Sequence, residues 1–475
     1  MNKIQFIYIF ILFLAIGCSA PYVDPEKMVQ NFMKEGNVQG VFVAVVKGDS
    51  ILYQKSFGFA DKESGKVMSA QTCMELGSIS KAFTAETIYY LHYQQLLHID
   101  DPVTKYLTEA PAKWSSVTIK HLLSHTSGIQ NYLLDSRFKA AEYFGGTKDS
   151  TVENFITNVT TDSLLQMFYT LPFEFTPGAS WSYSNTGYII LGKIAEKISG
   201  KNFFELVREQ ITSPLGMHHT TANEIASQRG CLATGYFIKD SSLHPSRVLK
   251  SNYAFSAGAW ASTGNDMINY LKAIHNKTLP SDKGSYDWRN ITSNGDHPYS
   301  YEGGRFFSTF NGMKIISHGG GTPGFTSSWF YVPDKNISII LLTNRQDYAA
   351  IDETAWNILS FFEPALQYPD IEIDGEEEKQ FSNKLVKIVQ AIKADSTLPN
   401  GLYGPLSIFM KTENGKGFWK WYFERGFPEK AYCVDNEIIG KYKAYRFRLP
   451  YSDAVEYRLT ILVNEKKEIV QMRWW

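Results

Sequence analysis

The segment Gly77-Ser-Ile-Ser-Lys-Ala-Phe-Thr84 places a reactive pair of side chains at the start of a predicted helix over 80–97. Ser78 and Lys81 form an S-x-x-K motif, and residues three apart on a helix share one face, with about 5–6 Å between their Cβ atoms. A serine hydroxyl is a weak nucleophile until a base takes its proton. A lysine can be that base when burial keeps its amine neutral. The segment therefore predicts Ser78 as a nucleophile and Lys81 as its base.

The S-x-x-K motif has low specificity by itself, because Ser136-Arg-Phe-Lys139 matches it as well. In the alternative interpretation, Ser78 caps a helix and Lys81 is a solvated helix residue. Two later segments of the chain favour the catalytic interpretation.

These two segments carry groups that complement a serine nucleophile. In Tyr183-Ser-Asn185, a phenol can share in proton transfer and an amide can hold a substrate carbonyl. The alternative is a loop tyrosine beside a turn-forming or helix-capping asparagine. In His318-Gly-Gly-Gly-Thr-Pro-Gly324, glycines would let a backbone N–H approach a ligand and complete an oxyanion hole. The alternative there is a glycine-rich turn entering a strand, with His318 exposed.

Taken in this order, S-x-x-K, Y-x-N and H-x-G resemble the active-site signature of the serine β-lactamase and penicillin-binding-protein superfamily. Further segments resemble its class C branch, which includes class C β-lactamases, D-alanyl-D-alanine carboxypeptidases, D-amino-acid peptidases and esterases. These segments are Gly77–Thr84, His121-Leu-Leu-Ser-His-Thr-Ser-Gly128, Tyr183–Tyr188, Pro214-Leu-Gly-Met217 and His318–Phe325. The resemblance covers residues 26–365 and implies a β-lactamase/transpeptidase-like α+β domain. Such a domain combines an antiparallel sheet flanked by helices with an all-helical part.

The resemblance also implies how the reaction would proceed. Ser78 would be acylated, and Lys81 would activate it together with Tyr183. The backbone N–H groups of Ser78 and Gly321 would form the oxyanion hole. Water or an amine acceptor would then complete the acyl transfer.

The substrate side of the site departs from the lactamase pattern. By the resemblance, Asn185 would bind the acyl side chain or the substrate amide, and His318, Gly319 and Gly320 would stand where class C β-lactamases carry Lys-Thr-Gly. Histidine is mostly neutral at pH 7, so it lacks the permanent charge that holds a β-lactam carboxylate. The H-G-G form is similar to the esterase and peptidase members. We therefore expect the substrate to be a small ester or an amide such as a D-amino-acid or cell-wall-derived peptide, with weak β-lactam hydrolysis at best.

Two predicted hairpins, over 41–57 and 329–342, flank the catalytic segments. Between them the pattern is mostly helical, with amphipathic stretches over 188–198 and 203–211. Sheet segments at both ends with helices between them indicate one α+β domain whose sheet unites its termini. The loops over 131–180 and 274–306 are the candidates for shaping the substrate cleft.

A second unit follows residues 366–380, an acidic stretch without a core pattern that we interpret as a linker. Residues 381–475 predict a small C-terminal α+β domain, with a helix over 381–394 and several antiparallel strands. Its aromatic side chains would form either a core or a surface that stacks on sugars. They include Trp419, Trp421, Tyr422, Phe423, Trp474 and Trp475.

The first residues resemble a bacterial export signal, with a lysine followed by an apolar run of roughly 13 residues. That run is shorter than the ~20 residues needed to cross a bilayer. Ala15-Ile-Gly-Cys18 resembles a lipobox, although the expected leucine stands one place early, at Leu14. This interpretation predicts a signal peptide over 1–17, a lipid on Cys18, and an exported lipoprotein attached to a membrane of the cell envelope. The alternative is ordinary cleavage near Ala20.

Composition narrows the function further. The 475 residues suffice for two folded units or one large composite domain. The net charge of −1, from 47 basic and 48 acidic residues, argues against a nucleic-acid partner and leaves a small molecule or a peptide as the substrate. The chain contains neither H-E-x-x-H nor G-x-S-x-G, so zinc and α/β-hydrolase mechanisms are not indicated. We expect no metal and no organic cofactor.

The three remaining cysteines, Cys73, Cys231 and Cys433, are far apart and form no C-x-x-C motif. We expect each of them to be a small buried hydrophobic residue. The sequence also leaves room for one disulfide in an oxidising compartment.

The alternative from another functional class is a non-catalytic protein of the same fold that captures cell-wall fragments. Intact Ser78, Lys81, Tyr183 and Asn185 argue against it, because a pure binding protein does not need all four. The aromatic C-terminal unit favours it, if that unit stacks on sugars. Labelling by an active-site serine probe would distinguish the enzyme from the binding protein.

Overall fold

The computed structural model describes residues 24–139, 143, 149–283, 300–346, 350–367, 372–394, 397–402, 410, 428–439, 441–452 and 455–474. The predicted signal peptide over 1–17 and Cys18 lie outside the described residues, and so does the aromatic run over 418–423.

The helices of the described chain lie mainly between the two predicted hairpins. They are α1 (Pro25–Gly36), α2 (Ser80–Tyr93), α3 (Ile119–Leu123), α4 (Ser150–Asn158), α5 (Thr161–Phe168), α6 (Asn185–Ser199), α7 (Phe203–Val207), α8 (Asn223–Gln228), α9 (Ser251–Gly258), α10 (Gly264–His275), α11 (Ala350–Phe362) and α12 (Glu376–Lys393). Within the described residues, none of them has both the length and the hydropathy to cross a bilayer.

The strands form several antiparallel sheets. They are β1 (Gly40–Lys47), β2 (Ser50–Asp61), β3 (Lys66–Val67), β4 (Cys73–Glu75), β5 (Thr221–Ala222), β6 (Tyr236–Lys239), β7 (Ser242–Pro245), β8 (Trp260–Thr263), β9 (Ser300–Glu302), β10 (Arg305–Phe310), β11 (Met313–Thr322), β12 (Phe325–Val332), β13 (Ile337–Thr343), β14 (Tyr432–Ile439), β15 (Tyr442–Ser452), β16 (Val455–Val463) and β17 (Ile469–Trp474).

The main sheet has eight strands in the order β3-β2-β1-β13-β12-β11-β10-β9. β1 pairs with β13 in antiparallel register, with Val41 opposite Thr343. The first long strand therefore lies beside the last one, which confirms that the sheet unites the ends of the domain. Both predicted hairpins are present, as β1–β2 and β12–β13.

β1 is buried on both faces, which explains its continuous apolar sequence. Phe42, Ala44 and Val46 pack into the larger core on the side of the helical part. The alternate residues Val41, Val43 and Val45 pack against α1 and α11 on the other face. The sheet is therefore covered by helices on both faces, as the predicted fold requires.

α2 is the central helix of the larger core and is buried almost all round. Glu86 on this helix and Arg305 at the start of β10 form an ion pair that is completely buried, with 2.7 Å between their charged groups. Arg305 also donates to the Gly303 carbonyl, and Glu86 accepts from the Ser281 backbone and hydroxyl. Breaking a buried pair by removing one partner typically costs about 3–5 kcal/mol, so this contact fixes the sheet to the helix that follows Ser78.

The cysteine prediction needs a correction. Cys73 in β4 and Cys231 after α8 form a disulfide, with 5.2 Å between their Cα atoms. The expectation that each is only a small buried hydrophobic residue is therefore wrong for these two residues. Cys433 is buried and free. The pairing could not be predicted from the sequence, because the two cysteines are 158 residues apart and only the folded topology brings β4 next to the segment after α8.

The C-terminal unit consists of a four-stranded antiparallel sheet, β14-β15-β16-β17, and the helix α12, which share one core. α12 begins at Glu376, inside the stretch predicted as a linker. Three glutamates in its first turn suit the positive end of the helix dipole, so the acidic run marks a helix start. Arg446 of β15 is buried and donates to the Thr309 carbonyl of β10 at 3.1 Å, which connects the unit to the main sheet.

Candidate active site

Ser78 lies in a 3₁₀ turn, Gly77–Ile79, between β4 and α2. Gly77 has a φ of 53°, and a Cβ at this position would lie 2.7 Å from the backbone nitrogen of Gly321. Glycine is therefore required here both by the backbone conformation and by the close approach of β11. The turn places Ser78 two residues before Ser80, the first residue of α2.

Lys81 makes three polar contacts through its Nζ atom. Its Nζ lies 2.7 Å from Asn185 Oδ1, 2.7 Å from the Ala257 carbonyl oxygen and 3.0 Å from Ser78 Oγ. Both carbonyl oxygens can only accept hydrogen bonds. A neutral amine would donate its two hydrogens to them and direct its lone pair at the Ser78 hydroxyl. This is the arrangement of a general base beside its nucleophile.

Burial supports this neutral state. Lys81 is fully buried, and burial lowers the pKa of its amine well below the usual value. Its Nζ also lies 5.0 Å from the ring centroid of Tyr183 and 5.6 Å from that of Tyr188, and ring faces favour a cation. Cation–π attraction contributes about 2 kcal/mol at a desolvated site. Full burial shifts a lysine pKa by up to about 3–5 units, which corresponds to roughly 4–7 kcal/mol. Burial is therefore the dominant effect.

Tyr183 faces the same pair. Burial raises the pKa of its phenol, and contact with the Ser78 side chain lowers it in part. The phenol therefore keeps its proton at neutral pH. With Lys81 as the base, a protonated Tyr183 beside Ser78 is suited to donating a proton to a leaving group.

The structure gives Asn185 a contact that the sequence did not indicate. Its carbonyl oxygen accepts from Lys81, and its backbone N–H donates to Asn131 Oδ1 at 3.3 Å. Asn185 therefore orients the base, whether or not it also binds substrate. Asn131 is buried and was not singled out in the sequence, where it has no motif of its own.

The glycine-rich segment 319–321 is part of strand β11, paired with β12, and is not a turn. A Cβ on Gly320 would lie 2.0 Å from the Leu76 carbonyl oxygen and 3.0 Å from the Ser78 nitrogen. The strand therefore runs directly beside the turn that carries Ser78. This close approach supports the predicted oxyanion hole, in which Ser78 and Gly321 would each supply a backbone N–H.

His318 is buried, so the alternative of an exposed histidine is wrong. Its Nε2 lies 2.9 Å from the Tyr301 hydroxyl, and its Nδ1 lies 2.5 Å from the Gly319 carbonyl oxygen. Since a carbonyl can only accept, the proton belongs on Nδ1, and Nε2 accepts from the tyrosine. Burial, with Lys81 nearby, lowers the pKa of His318 to about 3. The side chain that replaces the lactamase lysine is thus neutral.

His125 is a further part of the site for which the sequence motif gave no role. It is buried, and its Nδ1 accepts from the Ser184 backbone N–H at 3.2 Å. Its ring lies 4.3 Å from those of Tyr183 and Tyr301, measured between centroids. Burial lowers the pKa of His125 well below its usual value, so the ring supports the Tyr183 loop as a neutral imidazole.

Aromatic side chains line the region around these groups. Trp181 and Phe306 are half-buried, with 6.3 Å between their ring centroids. Phe306 ends the predicted cleft-shaping loop 274–306, and Trp181 directly follows the loop 131–180. Parts of both loops lie outside the described residues. In the part of the chain that is described, no three His, Cys, Asp or Glu side chains are grouped to hold a metal ion.

Comparison with known proteins agrees with this geometry. Residues 25–360 match the family model described as Beta-lactamase. Penicillin-binding protein 4* of Bacillus subtilis is 28% identical over 323 residues, which are 64% of this chain and 68% of that protein. Esterase EstB of Burkholderia gladioli is 30% identical over 190 residues, which are 39% of this chain and 47% of the esterase, so the match spans about half of that protein.

Two solved structures have the same fold. The octameric penicillin-binding protein homologue from Pyrococcus abyssi has a TM-score of 0.58 at 20% identity, over 93% of this chain and 96% of that one. A D-stereospecific amidohydrolase from Streptomyces sp. has a TM-score of 0.56 at 24% identity, over 67% of this chain and 94% of that one. The first similarity extends into the C-terminal unit.

Proposed function

Because the chain belongs to the beta-lactamase family, we propose that it is a serine hydrolase that forms an acyl-enzyme on Ser78. The observation that carries the proposal is the Lys81 amine, which is buried, held by two carbonyl oxygens and 3.0 Å from the Ser78 hydroxyl. A buried lysine with only a structural role is normally paired with a carboxylate. Lys81 instead faces a serine hydroxyl, as expected for a lysine that acts as a base.

The proposed reaction has two halves. Ser78 Oγ attacks the substrate carbonyl carbon while its proton passes to Lys81 Nζ, and the N–H groups of Ser78 and Gly321 stabilise the oxyanion. The bond to the leaving group then breaks, and Tyr183 supplies the proton that this group takes. Lys81 returns its proton to Tyr183. Water attacks the acyl-enzyme by the same route and releases the acid.

We further propose that the substrate is an ester or an amide whose leaving group carries no free carboxylate. His318 is neutral and its two ring nitrogens are engaged by Tyr301 and Gly319, so it offers no charge to such a group. The names of two similar proteins, an esterase and a D-stereospecific amidohydrolase, support this substrate class. For the same reason we propose that β-lactams, which carry a carboxylate, are hydrolysed slowly.

A pair of matched substrates tests this substrate class. We expect a D-alanyl-D-alanine peptide with an amidated C-terminus to be cleaved with a kcat/KM about tenfold or more above that of the free acid. The reason is that a desolvated carboxylate without a partner costs about 1–3 kcal/mol or more. Rates would be measured with both peptides and with a p-nitrophenyl ester and nitrocefin. Preference for the free acid, or fast nitrocefin turnover, would contradict the proposal.

We propose that the enzyme acts in the cell envelope, anchored through a lipid on Cys18. The support is the sequence alone, in which an apolar run precedes Ala15-Ile-Gly-Cys18. Membrane fractionation of cells that express the full chain, with metabolic labelling by a fatty acid, tests this. Cys18→Ser is expected to abolish labelling and to release the protein from the membrane fraction. An unchanged distribution would refute the lipid anchor.

A further inference from the structure

Glu75 is a buried carboxyl close to the nucleophile that the proposed mechanism does not use. It is the last residue of β4, three positions before Ser78, and its side chain is 1% exposed. Its Oε1 accepts from the Leu249 backbone N–H at 3.0 Å. Its carboxyl also interacts with the Thr322 hydroxyl. Neither Oε2 of Glu75 nor Oγ1 of Thr322 has a hydrogen-bond partner among the described residues.

These contacts join three separate parts of the active site. Glu75 itself belongs to the strand that leads into the Ser78 turn. Thr322 ends β11 directly after Gly321, the predicted oxyanion donor. Leu249 precedes α9, whose Ala257 carbonyl accepts from Lys81. One carboxyl group therefore connects the nucleophile, the oxyanion strand and the segment that orients the base.

Within the part of the chain that the structure describes, Glu75 has an acidic neighbour and no ion-pair partner. Burial is the main effect and, with the nearby Glu224 of α8, it raises the pKa of Glu75 to about 8. The contacts with Thr322 and Leu249 act in the opposite direction. The Tyr143 phenol also faces this carboxyl, and Glu75 raises the tyrosine pKa further beyond the effect of burial. At pH 7 the Glu75 side chain is therefore protonated and neutral.

We propose that Glu75 is a positioning residue of the active site, which in its protonated form fixes the Gly321 strand end and the α9 segment relative to Ser78. The proposal rests on the proposed function and adds a residue to it. A protonated carboxyl accepts from the Leu249 N–H through one oxygen. Through the other oxygen it can donate to the nearby Thr322 hydroxyl, whose oxygen has no partner among the described residues. An apolar side chain at position 75 could fill the space but could make neither bond.

Ionisation of Glu75 would oppose catalysis. A carboxylate there would place a buried negative charge next to the strand end that stabilises the oxyanion. Like charges at short range in a medium of low dielectric raise the energy of the transition state. The wild-type enzyme should therefore lose kcat as the pH rises through about 8, the pKa of this group. Lys81 is not responsible for such a loss, because it becomes a better base as it loses its proton.

The test compares kcat, KM and their pH dependence in four variants of the full chain, with a p-nitrophenyl ester. Glu75→Gln keeps an acceptor for Leu249 and a donor for Thr322 without a titrating proton, so kcat at pH 7 should stay close to wild type and the alkaline loss should disappear. Glu75→Ala and Thr322→Val should lower kcat about 10- to 100-fold with a smaller change in KM, as expected for misplaced catalytic groups.

The control variant is Glu378→Gln. Glu378 is a buried glutamate in α12, and its replacement should leave the wild-type pH profile unchanged.

A second readout does not depend on turnover. Glu75 has a folded pKa of about 8 against an ordinary value of 4.5, so its stabilising contribution is complete below pH 4.5 and is lost as the pH rises to 8. The Tm of wild type relative to Glu75→Gln should fall across that window. A Gln variant that keeps the alkaline loss, or an Ala variant with wild-type kcat, would overturn the positioning role. Absence of any Ser78-dependent turnover in wild type would instead overturn the proposed function, and the Tm comparison would still report whether Glu75 is neutral.

Discussion

Replacing Ser78 by alanine is expected to abolish turnover of every substrate, with a loss in kcat of about 10⁴- to 10⁶-fold. The reason is that the acyl-enzyme has no other attachment point: the oxyanion strand and the base remain, but the bond that splits the reaction into two steps cannot form. The measurement is the rate of p-nitrophenyl ester hydrolysis by wild type and variant, with circular dichroism to show that both are folded. Ser78 is only partly buried, and alanine is smaller than serine, so the change should leave the core intact.

Ser136→Ala is the matched control, because Ser136-Arg-Phe-Lys139 is the second S-x-x-K of the chain. Ser136 lies in an exposed 3₁₀ turn, where a serine lacks a buried base. Its variant should keep full activity. If Ser136→Ala loses activity and Ser78→Ala retains it, the nucleophile is Ser136, and the proposal is contradicted.

Replacing Lys81 by methionine is expected to lower kcat by about 10³-fold or more, because the base that takes the Ser78 proton is removed. Lys81→Arg should not restore activity, since a guanidinium stays protonated and cannot accept a proton. Burial lowers the pKa of Lys81 and so favours the neutral amine, which is lost as the pH falls through that lowered pKa. The wild-type rate should therefore decrease on the acid side.

The measurement is the pH profile of kcat/KM for wild type and both variants. Phosphonylation of Ser78 by a fluorophosphonate, followed over time, reports the same base, because the fluoride that leaves needs no proton from an acid. An arginine variant with wild-type kinetics would mean that Lys81 acts as a fixed positive charge. That result would exclude the base assignment while leaving the nucleophile in place.

The part of the site that depends on short spacing was predictable from the sequence. Ser78 and Lys81 are three residues apart, and helical geometry alone brings the amine to the hydroxyl. The continuous apolar sequence of β1 and the turn before β2 are likewise local patterns, and they predicted the position of the hairpin. These features depend only on residues that are close together in the sequence.

What the sequence did not indicate depends on contacts between distant segments. Asn131, His125 and Glu75 act through partners supplied by other loops and strands. The neutral state of His318 follows from its burial against Tyr301, which its own motif does not encode. The disulfide of Cys73 has the same cause, because its partner comes from a separate segment of the fold.

The most direct test of the central claim is the mass of the acyl-enzyme. Protein lacking residues 1–17 would be mixed with an aryl ester whose acyl group is released slowly, quenched in acid and measured intact, and the adduct would then be located by peptide mapping. We predict one added acyl group, on the peptide that contains Ser78, and none in Ser78→Ala. Complete absence of an adduct, or an adduct on another residue in a protein that still turns over its substrate, would contradict the proposed mechanism.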